Sequence, residues 1–416
     1  MEQTTERHLT PSSASRFVTA ILTALVFVVA LNLRAPLTSV GPLLPRIGTS
    51  EHLNATMQGL LGSLPIFAFA LVSPMVHRIA ERLGIERTVL VAMAFLTLGI
   101  VIRSTCGTTG LWVGTLVIGC SIAVGNVLVP AIVKRDYPGR TSLATGIYSA
   151  CMTGMAAFAS AVTLPLSDAI GWRGTLGIWA VPAGTVTLLW LWRSRVNAPR
   201  TAVGAGTVVE ARSDDRRGSA PTTRSRRVSM WKKPEAWAVT LFMGLQSVNY
   251  YVCVTWLPTI EVSFGVPADR TGWHLAVFQL VGIVMGLLIP VLLKGDSQVA
   301  AVVVASVPLA IGALGLAFAP QLDLLWIVIA SIGSGCSLVV ALSLIGLKTS
   351  TTEETTQLSG MAQCVGYLLA AVGPTLAGTL YDITSGWRTV LIMLAILAVA
   401  QTAIGVIVGR GTGVKR

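Results

Sequence analysis

Charge is scarce in this chain. Asp, Glu, Lys and Arg account for 12% of its 416 residues, where a soluble domain carries roughly 25%. Ligand clusters are missing as well. The six cysteines stand singly with no CxxC pair, and the four histidines (His8, His52, His77, His274) lie far apart. Neither a zinc-type ligand set nor a redox pair is expected from that spacing. No Walker-type phosphate loop occurs; Gly333-Ser334-Gly335 falls inside an apolar run, where small residues serve helix packing. ATP-driven transport by this chain is therefore not expected. With no nucleophile–base pair or metal set at depth, neither an enzyme nor a cofactor is expected.

Apolar residues fill the space that charge leaves. They make up 53% of the chain, with a mean hydropathy of +0.74. Runs of about 20 such residues, long enough to cross a bilayer as helices, recur throughout. Twelve spans follow: Phe17–Val40, Met57–Val76, Thr88–Arg103, Gly110–Val133, Ser142–Pro165, Trp172–Trp192, Ala236–Pro258, Thr271–Leu293, Val299–Ala319, Leu324–Leu347, Gln357–Tyr381 and Trp387–Val408. The first run has no clean small-residue cleavage site, so it reads as a span rather than a signal peptide. The fold class expected is an all-α polytopic membrane protein whose twelve transmembrane helices form two pseudo-symmetric six-helix bundles. A monomer is expected.

The basic residues give orientation. Of 30 Lys and Arg, one (Arg34) lies deep within a span. Five (Arg46, Arg103, Arg173, Arg270, Arg388) fall on the side opposite the N-terminus, and the rest share its side. The positive-inside rule then places both termini in the cytoplasm of a cell-membrane protein. The net charge of +12 is thus a topology signal, and no nucleic-acid partner is expected, because the loops lack a basic face with aromatic platforms.

Two halves repeat. "LATGIYSA…LPLSDAIGWRGTLGIWA" closes the first and "QLSGMAQC…GTLYDITSGWRTVLIMLA" the second, each with a glycine (Gly146, Gly360), an aspartate and a Gly-Trp-Arg in the same order. The expected organisation is a tail over 1–16, a first bundle over 17–192, a flexible linker over 193–234, a second bundle over 235–408 and a tail over 409–416. Two parallel repeats of this kind bind solute near the midplane between them.

The 6+6 plan and "HRIAERLG" (His77–Gly84) resemble the major facilitator superfamily. That superfamily's loop after the second span locks the cytoplasmic side, and Glu81, Arg82 and Gly84 fit its pattern while His77 replaces a glycine. "LNLRAPLTSVGPLLPRI", "GNVLVPAIVKRDYP" and "GLQSVNYYVCVTWLPT", with the terminal "GWR", resemble the cyanate permease and 2-nitroimidazole transporter family within it. The resemblance implies secondary transport of a small solute by alternating access. Span four lacks the arginine of the superfamily's proton-coupled drug exporters, with Thr115 in its approximate place, and "SACMTGMAAFASAVTLP" lacks their fifth-span Gly-Pro motif. These absences lean against efflux of drug-like compounds, which stays an alternative. So does a non-transporting solute sensor.

Arg34 is the candidate centre. A charge at membrane depth costs about 2.5–3.5 kcal/mol on insertion scales and needs a partner, yet no carboxylate lies deep in any span. A substrate could supply the acceptor, bound through the guanidinium fork. Pro36 strips the Asn32 carbonyl of its helical partner, which loosens the helix beside Arg34. Asn32 therefore joins the site. Gln246, Asn249, Tyr250 and Cys253 recur at helical spacing in span seven, the repeat partner of span one, and are expected on one face. Asn126 in span four and Gln363, four residues before Tyr367 in span eleven, complete the expected substrate-binding set. A coupled proton is allowed for, but without a buried carboxylate only His274 titrates in the right range. Arg103, at the outer end of span three, could attract anions to the vestibule but reads first as a snorkelling end residue.

Overall fold

Every stretch of regular structure among the described residues is helical, because backbone groups in lipid must be paired within the segment. The computed structural model describes residues 24–137, 140–196, 230–293 and 297–410. The two tails, the start of span one and most of the linker lie outside the described residues.

Ten stretches are long and apolar enough to cross a bilayer. Two further spans hide within and beside them. Leu143–Arg195 holds spans five and six, folded back at Gly171 (φ 72°), and Pro234–Ser263 forms span seven, its apolar character diluted by Gln246, Asn249, Tyr250 and Tyr251. Several helices run well past the apolar runs that announce them. Span two covers Ala55–Leu83: it opens where the Asn54 side chain accepts from the Met57 N–H, and stops at Gly84, whose φ of 82° suits glycine alone. Spans three and four are Ile85–Thr105 and Gly107–Asp136. In the second half, Ala268–Leu288, Val299–Phe318, Asp323–Leu347, Thr352–Thr384 and Trp387–Gly409 form spans eight to twelve.

The repeats turn differently at their shared Gly-Trp-Arg. In the first half Gly171 itself takes the positive φ. In the second, Ser385 does so at φ 52° and Gly386 is extended at φ −154°. That one-residue shift accounts for the spacing of the two repeats, 26 residues from Gly146 to Trp172 against 27 from Gly360 to Trp387. A serine in the left-handed region costs about 1 kcal/mol relative to glycine, so Ser385→Gly is expected to raise the thermal midpoint of the detergent-solubilised protein by about a degree, as read by a melting scan.

Both ends of the linker leave from one face, the linker face; the opposite one is the distal face. The halves meet chiefly from mid-membrane to the distal face. There Asp382 of span eleven accepts from the backbone N–H groups of Ala55 (3.1 Å) and Thr56 (2.8 Å) and from the Thr56 hydroxyl (2.6 Å). A carboxylate thereby caps the positive N-terminal end of span two across the bundle boundary. Ser63 bonds Thr375 at 2.9 Å, and Gln279 donates to Ser160 at 3.0 Å. Close approach is possible because Gly59 faces the Pro374 carbonyl and Gly378 the Ala55 carbonyl, where a Cβ would sit 2.2 and 2.1 Å from oxygen. Towards the linker face the halves part around a vestibule of about 1000 Å³, lined by Phe69, Ser73 and Val127 of one half and Thr349, Ser359, Gln363 and Tyr367 of the other. The structure is closed on the distal face and open on the linker face.

Candidate solute site between the bundles

Span one breaks where its sequence says it must. Helix over 24–32 ends at Asn32, residues 33–34 form a turn, and a four-residue helix resumes at Ala35–Thr38. Proline brings no N–H to continue the ladder, and Arg34 adopts φ −120°, ψ −37°. A second interruption follows at Gly41–Leu43. The Asn32 amide donates to the Val28 carbonyl at 2.9 Å, within its own helix, and does not line the cavity described next.

Arg34 is half-buried and lines a cavity of about 40 Å³ between the halves. Thr38, Gly41, Pro65, Ile66 and Thr115 come from the first half, and Tyr250, Tyr251, Val254 and Thr255 from span seven. The Tyr251 hydroxyl lies within hydrogen-bonding reach of the guanidinium, with those of Tyr250 and Tyr367 beside it. No aspartate or glutamate lines the cavity. Its acceptors are phenols and hydroxyls, which solvate a cation without neutralising it.

Arg103 overturns its reading as a snorkelling residue. It is fully buried and turned inward to line the same cavity, with Nη1 donating to the Pro36 carbonyl at 2.7 Å. Sequence reasoning missed it because an arginine ending an apolar run usually reaches for water. The only hint was the absence of any other charge over residues 88–102 before it.

Span seven presents a different face to Arg34 from the one expected. Residues 250, 251, 254 and 255 line the cavity, whereas Asn249 points into the second bundle, donating at 3.4 Å to Gln401, which in turn donates to Ser306 and Ser337 at 3.0 Å each. Cys253 packs among Leu257, Phe278 and Leu391. Gln246 is buried against its own helix, bonded to Ser247 at 2.6 Å. Periodicity gave the spacing of this set but not the rotation of the helix. Tyr250 alone of the expected quartet reaches the cavity. Asn126 is half-buried and lines neither the cavity nor the vestibule. Gln363 is exposed in the vestibule, its amide bonded to Ser359 at 2.9 Å. Between cavity and vestibule stand Ile66, Tyr251 and the edge-to-face pair Phe69–Tyr367, with centroids 6.1 Å apart.

On the linker face, Glu81 pairs with His77 at 3.0 Å on an exposed surface, Arg82 is exposed, and Gly84 makes the turn. The denser network lies one step on. Buried Glu86 takes Arg135 at 2.6 Å and Arg193 at 3.1 Å, Asp136 takes both arginines, and Arg193 stacks 4.5 Å over Trp190. These ties join spans three, four and six within the first half. In the second half Lys233 donates to Glu354 at 2.6 Å and holds that carboxyl below its usual range.

A buried carboxylate does exist, near the distal face. Glu261 is 1% exposed and hydrogen-bonds His274 through Oε1; Asp323 lies 3.6 Å from the same ring nitrogen. The expectation that no histidine joins a ligand-type cluster is corrected here. The three residues come from the ends of three different helices, which no local spacing could reveal.

Broken helix, inter-bundle cavity and one-sided opening together are the features of a membrane transporter. The model of the Major Facilitator Superfamily matches residues 20–344. The 2-nitroimidazole transporter of Escherichia coli K12 is 37% identical over 401 residues, covering 95% of this chain and 97% of that one. An uncharacterised transporter of Bacillus subtilis, YycB, is 35% identical across 94% and 93%. The cyanate transport protein CynX of E. coli K12 is 26% identical across 86% and 89%. Among solved structures, the nucleoside transporter NupG matches with a TM-score of 0.74 at 13% identity, covering 94% of this chain and 99% of that one. A bacterial homologue of the lysosomal transporter Spinster, inward-facing and unoccupied, matches at 0.73 and 16% identity, covering 96% and 98%. The chain belongs to the major facilitator superfamily, in the family of the cyanate and 2-nitroimidazole transporters. It is a multi-pass membrane transporter of small solutes, not an enzyme.

Proposed function

We propose that this chain moves a small polar or anionic solute, cyanate-like or nitroimidazole-like, across the cell membrane by alternating access. The solute is held at Arg34. The observation that carries the reading is a cationic cavity on the boundary of the two halves with no carboxylate in its wall. Tyr250 and Tyr251 orient the solute by hydrogen bonds, and Gln363 meets it in the vestibule. Asn32 and Asn249 act through the helices they brace. The bundles over 17–192 and 235–408 rock as units about the 193–234 linker. The linker face, rich in basic residues, is cytoplasmic, with both tails on that side, and the monomer is the working unit.

Glu81, Arg82 and Gly84 lock the linker face when the distal face opens. In this structure Glu81 pairs with His77 of its own helix and Arg82 is exposed. Efflux of larger drug-like compounds fits the vestibule but not the 40 Å³ cavity. Uptake of radiolabelled cyanate or 2-nitroimidazole into proteoliposomes tests the proposal: concentration-dependent, saturable entry supports it, and binding without entry supports a sensor instead.

A coupled proton has a carrier in the Glu261–His274 pair. An inward proton gradient is expected to accelerate uptake several-fold in the wild type and to leave Glu261→Gln unaffected, while that variant still exchanges solute without a gradient. Equal acceleration in both proteins would remove Glu261 from the coupling path.

A further inference from the structure

Arg103 is fully buried, yet two of its three guanidinium nitrogens have no partner. Nη1 reaches Pro36; Nε and Nη2 meet no acceptor. The unoccupied pair is the side edge of the guanidinium, the edge that grips two acceptor atoms of one planar or linear group at once. Nothing acidic lines the cavity it enters, and the other cation there is Arg34. A buried charge without a partner is strongly destabilising, and a like charge on the same cavity adds to that. Phenols do not remedy it. The space left is about 40 Å³, room for a few water-sized groups, since ~10–15 Å³ suffices for one.

We propose that Arg103 is the second cationic wall of the solute site, and that Arg34 and Arg103 together select a compact anion of a few heavy atoms, with acceptors that bridge the Nε–Nη2 edge of Arg103 and the guanidinium of Arg34. The inference rests on the cavity being the transport site. A neutral ring of similar polarity leaves both cations uncompensated, so anions are preferred to it. Arg103 also ties the solute to span one, because its remaining nitrogen holds the carbonyl of the proline that breaks that helix.

The test is thermal stabilisation of the full-length protein in detergent, in gluconate buffer, with sodium cyanate and sodium nitrate as anions and formamide as a neutral probe of like size. Wild type is expected to be stabilised by an anion and not by formamide. Arg103→Met is expected to melt higher than wild type without ligand, since an unpartnered charge is gone, and to need at least ~10-fold more anion for the same shift. Arg103→Lys keeps the charge but loses the two-nitrogen edge, and its response is expected to be intermediate; it also serves if the methionine variant does not fold.

An anion response unchanged in both variants, or formamide stabilising wild type as well as the anions do, overturns the inference while the site at Arg34 stands. So does a loss of ligand-free stability in both variants with the anion response intact, which would make Arg103 a brace. An anion response that survives Arg34→Ala, or none in wild type, sinks the reading of the site itself.

Discussion

Arg34→Ala is expected to abolish solute entry into proteoliposomes, by roughly 100-fold or more, while the protein stays folded. The magnitude follows from the interaction removed. A guanidinium offers a solute two charge-assisted hydrogen bonds, each worth about 1.5–3 kcal/mol, and 1.4 kcal/mol is a factor of ten. Folding survives because Arg34 has no carboxylate to leave orphaned; its partners are tyrosine hydroxyls that can bond water in the enlarged cavity. Arg34→Lys keeps the charge and loses the fork, so a loss of about tenfold is expected. Initial rates at several solute concentrations, beside a melting scan, check both variants. A folded Arg34→Ala protein with wild-type rates would show that Arg34 merely spans the break in its helix.

Gly378→Leu is expected to force the distal face apart. The new Cβ would lie 2.1 Å from the Ala55 carbonyl oxygen and 2.6 Å from its carbon. Both are backbone atoms with no rotamer to yield, so the bundles must separate. Separation breaks the three hydrogen bonds that Asp382 accepts from Ala55 and Thr56. At about 1.5 kcal/mol each for bonds to a charged acceptor, the closed distal face loses on the order of 10³-fold in population. Cysteine placed at Thr375, with the six native cysteines replaced, is then expected to react quickly with an impermeant maleimide from the distal side, and slowly when Gly378 is retained. Net uptake falls as well, because the variant seldom closes that face. Equal labelling in both backgrounds would mean that these contacts do not seal it.

Much of this was legible in the sequence. The spans, the repeat and the break at Arg34 all follow from covalent facts: apolar length, a shared Gly-Trp-Arg, a proline without an N–H. What stayed hidden depends on rotation and on partners distant in sequence. Periodicity grouped Gln246, Asn249, Tyr250 and Cys253, but the rotation of span seven turns Asn249 to Gln401 and leaves Tyr250 to meet Arg34. Arg103 ends an apolar run as a snorkelling residue would; only packing shows that it turns inward to Pro36. Glu261, His274 and Asp323 sit far apart in the chain at three helix ends. Glu86 was passed over beside the more recognisable Glu81 and Arg82, although it gathers the basic network of the first half.

The Phe69–Tyr367 pair has a kinetic meaning. An edge-to-face ring contact contributes about 0.5–1.5 kcal/mol, well below three hydrogen bonds to a charged acceptor at about 1.5 kcal/mol each. The opposite wall is latched by a carboxylate on a helix end. In this resting form the chamber is a room with a swing door on one side and a bolted one on the other. Under the alternating-access cycle proposed above, solute is expected to exchange with the linker-face compartment more readily than the distal face opens, so that crossing waits on the release of Asp382.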